Sequence, residues 1–136
     1  MRSRNPMPLH LGDPLDLDDG REAAHVLATY CREAVRDLAR AHHFYAQAEL
    51  EYRRELALAM AEIYSELGKV TMVDDLARGN PRVANLRHTR DLARAGVSVA
   101  KERLRQLDGE RASLRQLLEW SQKFDGNRQF APPRAA

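Results

Sequence analysis

His42 and His43 stand side by side in a stretch, residues 21–67, that holds neither proline nor glycine. They are the first residues here that could ligate a metal or move a proton, but their spacing decides against a shared metal. Neighbours on a helix point about 100° apart, so the two imidazoles cannot share an ion as an i, i+4 pair does. His10, His25 and His88 lie elsewhere, without a Cys or Glu at ligand spacing. Cys31, the single cysteine, falls within an apolar series and reads as a small core residue. Glu51, Glu55, Glu62 and Glu66 repeat at helical spacing, the pattern of a solvated face more than of a paired acid and base. The chain has no Gly-rich phosphate loop and no nucleophile elbow. These residues predict a protein that is not an enzyme and needs no metal and no cofactor.

Binding chemistry is better represented. Arg87, Arg94, Lys101 and Arg115 share one heptad position, interrupted only by Asp108, and Arg105 sits one turn from Lys101. Such a cationic ridge can follow a phosphate backbone or meet an acidic partner. Aromatics are scarce beside it, so any nucleic-acid contact would be sequence-tolerant and salt-dependent. Charge is also segregated: residues 13–66 carry twelve acidic and six basic side chains, net −6, whereas residues 81–116 carry nine basic and four acidic, net +5. Acidic and basic helices of this kind pair across their flanks, which fixes an antiparallel orientation. Arg90 and Arg111 occupy seam positions, where a guanidinium needs a carboxylate and can set register. Glu55 and Glu62 are the predicted partners. Val26, Tyr30, Phe44, Ile63 and Tyr64 supply a second apolar stripe, the candidate protein interface.

Long helices must carry these residues. Leu86, Ala93, Ala100, Leu107 and Leu114 recur every seven residues, with Val97, Leu104 and Leu118 between them, and the phase survives Gly109. That pattern marks a helix burying a narrow stripe against another helix. Upstream, Leu27, Cys31, Ala34, Leu38, Ala41, Tyr45, Ala48 and Tyr52 alternate steps of four and three before continuing through Leu56, Met60, Ile63 and Leu67. Four-residue steps after Ala48 are a stutter that locally unwinds a supercoil. Asp19 and Glu22 have capping-box spacing, Gly68 suits a helix end, and Asn80-Pro81 is a strong start signal. The expected organisation is a tail over 1–17, a helical hairpin over 18–124 and a tail over 125–136, both tails disordered. Within the hairpin, helices span about 19–67 and 81–123, joined by a connector at 68–80 with a short helical turn near Met72–Leu76. Asp125-Gly126-Asn127 is read as the stop of the second helix.

The predicted fold is therefore all-α: two long helices in an antiparallel coiled-coil hairpin. Its alanine-rich seam buries little area per residue, and at roughly 25 cal/mol per Å² a lone hairpin is marginal. Dimerisation into a helical bundle is the expected remedy, with burial against a different protein as the alternative. No stretch approaches the roughly 20 apolar residues of a membrane span, and Met1–Pro8 lacks the apolar run of a signal peptide. With one cysteine, a cytoplasmic location is expected and a membrane is not.

Residues 70–78 look superficially like the first helix of a helix-turn-helix, but Pro81 follows Ala77 too closely for the motif's turn. A Tyr-bearing, Ala-rich first helix (Tyr45, Tyr52, Tyr64), an Arg-bearing second helix and the closing Leu114-Arg115-Gln116-Leu117-Leu118 resemble small helical-hairpin accessory proteins of actinobacterial tailed phages. That resemblance covers residues 25–122 and implies an accessory binder acting on DNA or on a host or phage protein. The sequence as a whole predicts an adaptor, scaffold or inhibitor that binds a protein partner, with sequence-independent nucleic-acid binding as the alternative.

Overall fold

The computed structural model of the chain describes residues 17–68 and 71–129. Every regular element among them is helical: α1 (Leu17–Leu67), α2 (Val73–Arg78) and α3 (Pro81–Gln129). None is long and apolar enough to cross a membrane. The expected tails over 1–16 and 130–136 lie outside the described residues.

Local chemistry accounts for the helix ends. α1 begins at Leu17, so Asp18 and Asp19 lie inside its first turn, where carboxylates oppose the positive end of the helix dipole. It stops at Gly68, whose φ of +63° is the left-handed conformation that lets its amide turn back to the Tyr64 carbonyl at 2.9 Å. α3 starts as Asn80-Pro81 predicts: the Arg82 amide donates to Asn80 Oδ1 at 2.9 Å, and proline fills the first helical position.

Two boundaries differ from expectation: α1 starts at Leu17, ahead of the Asp19 cap the spacing predicts, and α3 runs past its expected end. The stop at Asp125-Gly126-Asn127 does not operate, and α3 runs on to Gln129. Glycine and asparagine only weaken a helix, by up to about 1 kcal/mol each, and no proline intervenes to remove an amide donor. Residues 125–129 therefore belong to α3 and not to a tail. Gly96 and Gly109 are likewise accommodated within the helix.

The chain divides into two compact units, 1–30 with 107–136 and 31–106. In the second unit the buried stripe is small: Cys31, Ala34, Ala48, Tyr52 and Ala59 on α1, Val83 and Val97 on α3, Val73 and Ala77 on α2. Tyr52, Ala59, Ala77 and Val83 form its central cluster, flanked by half-buried Leu56, Met60, Ile63 and Leu86. α2 is thus the plug that closes the connector over the end of the seam. In the first unit, Leu27, Leu107, Leu114 and Leu118 are half-buried. Trp120 and Phe124 stack on each other there, 5.9 Å apart at 12°, while both stay largely exposed.

Candidate binding surface

Within residues 31–106, polar contacts join α1 to α3 in four places among those described. Asp37 Oδ2 accepts from Arg103 at 3.0 Å, the Tyr45 hydroxyl from Arg94 at 3.1 Å, Glu49 lies 3.6 Å from Arg90, and Glu55 lies 3.1 Å from Arg82. Rising numbers on α1 meet falling numbers on α3. In every case α3 supplies the arginine and α1 the acceptor, as the charge segregation leads one to expect.

These contacts fall on two edges of the seam. Tyr52 is buried, and Glu49 and Glu55 lie three residues to either side, about 60° round the helix in each direction. Arg90 and Arg94 define the Glu49 edge; Arg82 and Arg103 define the other. Arg90 is the most enclosed of the four, its side chain only 16% exposed. Its guanidinium stacks 4.4 Å over the Tyr52 ring and donates twice to Asp91 Oδ1, at 3.0 and 2.8 Å. The Asp91 hydrogen bond raises the Arg90 pKa against the opposing effect of burial, and Arg90 in return holds Asp91 below its usual range. Glu49 Oε2 faces Arg90 without a hydrogen bond, while Oε1 accepts from Arg53 at 2.8 Å.

The seam arginines thus part company. Arg90 takes Glu49 and Asp91, whereas the spacing had offered Glu55 and Glu62; Glu55 goes to Arg82 and Glu62 is exposed. The four-residue steps in α1 rotate Glu49 onto the edge that Arg90 faces. Arg111 is exposed in the first unit, not enclosed in a seam, its long side chain carrying the charge outward from between half-buried Leu107 and Leu114.

No family, curated protein or solved structure matches the chain.

The cationic ridge is only partly engaged. Arg94 caps Tyr45 by hydrogen bond and by a cation–π approach of 5.5 Å. Arg105 is turned along its own helix, with Nη2 2.8 Å from Glu102. Arg87 is half-buried and Lys101 exposed; neither makes an ion pair among the described residues. Arg115 is exposed in the first unit.

The predicted apolar stripe is not one face. Val26 and Tyr30 in the first unit are exposed, as are Phe44 and Tyr64 in the second. Phe44 and Tyr64, twenty residues apart, point about 160° from one another round α1. Ile63 packs against the Tyr52 cluster. A surface depression lined by Glu51, Arg54, Glu55, Arg82, Asn85 and Leu86 holds the Glu55–Arg82 pair and contains no imidazole, thiol or hydroxyl. Among the described residues no cluster of three or more His, Cys, Asp or Glu could hold a metal ion.

The sequence reading missed a second stripe on α1. Val35, Ala46 and Ala57 recur at eleven residues, as do Ala39, Leu50 and Ala61, and all six are exposed. Eleven residues make 3.67 per turn, a spacing that keeps a stripe nearly straight along a helix. The signal was available, but the heptad series beside it draws the eye to the other face.

Proposed function

We propose that the chain is a non-enzymatic interaction protein, an adaptor, scaffold or inhibitor, built as an antiparallel helical hairpin that pairs with a second copy and docks on another protein. One observation carries this reading: the described residues expose fifteen large hydrophobic side chains, Phe44, Val99 and Trp120 among them, while burying mostly alanine and valine. Surfaces of this composition gain free energy when a partner covers them. The ion pairs support the same reading, since they run along a helix or between α1 and α3. The likeness to phage accessory hairpins fits a protein whose work is to bind.

The test is retention of a protein partner on the immobilised chain at about 0.5 M salt, where charge attraction reaches only a few Å. Retention that survives the salt and is lost when an exposed apolar side chain is made acidic, by Leu50→Glu or by Phe44→Glu, supports an apolar interface. Retention of DNA alone, abolished by salt and by Arg87→Glu with Lys101→Glu, overturns it in favour of a nucleic-acid binder.

A further inference from the structure

Along the Glu49 edge of the second unit, the eleven-residue stripe of α1 runs beside the cationic row of α3. Glu49 and Arg90 mark the place where the two helices meet. Ala46 and Arg53 lie one turn to either side of Glu49 on α1; Arg87 and Arg94 lie one turn to either side of Arg90 on α3, and Lys101 follows seven residues on. This edge holds six cations (Arg53, Arg87, Arg90, Arg94, Lys101, Arg105) against three carboxylates (Glu49, Asp91, Glu102), net +3. Arg90 engages Glu49 and Asp91, and Arg105 engages Glu102. On the outward side of the stripe stand Arg36 and Arg54, both exposed. An exposed aliphatic track is thus bordered by positive charge on both sides.

We infer that this face is a docking track for an acidic amphipathic helix of another protein. Its apolar side would lie on Val35, Ala39, Ala46, Leu50 and Ala57. Its flanking carboxylates would meet Arg87, Arg94 and Lys101 on one side and Arg36 and Arg54 on the other. The alanines permit the close approach that helix packing favours. A phosphate backbone matches the cations but offers nothing to cover Val35 and Leu50. Of the rings at the seam, Tyr52 lies beneath Arg90 and Tyr45 against Arg94, so neither is free to stack on bases. A second copy laid face to face would set Arg36 and Arg54 against the same basic borders. The inference rests on the interaction reading above and names the partner's chemistry.

The experiment uses the full chain and three labelled probes. One is a synthetic helical peptide as long as residues 35–61, with Leu and Ala on one face and Glu on its flanks. The others are a peptide of the same composition in permuted order and a short DNA duplex. Fluorescence anisotropy should show the amphipathic peptide bound at least about tenfold more tightly than the permuted one. Leu50→Glu and Lys101→Glu should each weaken it by about tenfold at unchanged helicity, and Phe44→Glu should leave it unaltered. Equal binding of both peptides, insensitivity to both substitutions, or tighter binding of the duplex would overturn the inference. So would a fall in solution mass on Leu50→Glu, which would assign the track to a second copy. If the peptides fail while a salt-resistant partner is still lost in Phe44→Glu, this assignment falls and the interaction reading stands.

Discussion

Arg90 concentrates several small effects at one point: a ring beneath it, a carboxylate beside it and a second carboxylate across the seam. Truncating it leaves Glu49 Oε2, which has no hydrogen bond, without a cation across the seam. Arg90→Ala should therefore lower unfolding stability by about 1–2 kcal/mol in urea titration. Glu49→Gln combined with Arg90→Ala should cost less than the sum of the single changes, because the stranded charge is gone. Strict additivity would mean that the pair does not interact. The pH response belongs to this scale too. Asp91, bonded by Arg90, and Glu102, bonded by Arg105, are held below their ordinary values of 3.8 and 4.5. A lowered folded-state pKa contributes stability that is fully present above the unfolded value and disappears as pH falls through the folded one. The melting temperature should stay level from pH 7 to about 5 and drop below about pH 4. Asp91→Asn should shrink that drop; an identical acid limb in the variant would clear Asp91 of the effect.

Helix ends and interiors carry their own predictions. Nothing lies within 4 Å of a Cβ built on Gly96 or Gly109, and both residues are helical. Alanine at either position should raise stability by about 0.5–1 kcal/mol, read from the denaturation midpoint. Gly68→Ala should do the reverse by about 1 kcal/mol, since the left-handed turn that ends α1 disfavours a Cβ. If Gly109→Ala destabilised the chain, α3 would need to bend there. These elements were largely legible in the sequence. The Gly68 stop and the Asn80-Pro81 start are backbone signals that act locally, and the apolar phase across Gly109 is a side-chain pattern repeated over many turns. What was less legible depended on rotation about a helix axis. The partner of Arg90 turns on where the α1 stutter places Glu49. The scatter of Val26, Tyr30, Phe44, Ile63 and Tyr64 follows from grouping residues by hydrophobicity without following their angles. The end of α3 was misplaced because Gly126 and Asn127 discourage a helix without forbidding it.

For the molecule as a whole, the balance of covered and uncovered apolar surface decides behaviour. A chain that buries alanine while exposing Leu92, Val99 and Trp120 gains from mass action. If it pairs with its own kind, as proposed, its melting temperature should rise with protein concentration. Scans over a hundredfold range of concentration check this, and a constant melting temperature would leave a foreign partner as the remaining cover. One further consequence follows from the four cross-helix contacts. In those contacts the arginine comes from α3 and its acceptor from α1. The two strands of the pairing are thus like plug and socket, and neither can stand in for the other. Two α3 segments brought together would set arginine upon arginine, and two α1 segments would crowd their carboxylates. Charge in residues 31–106 therefore favours α1 against α3 over either helix against its own kind.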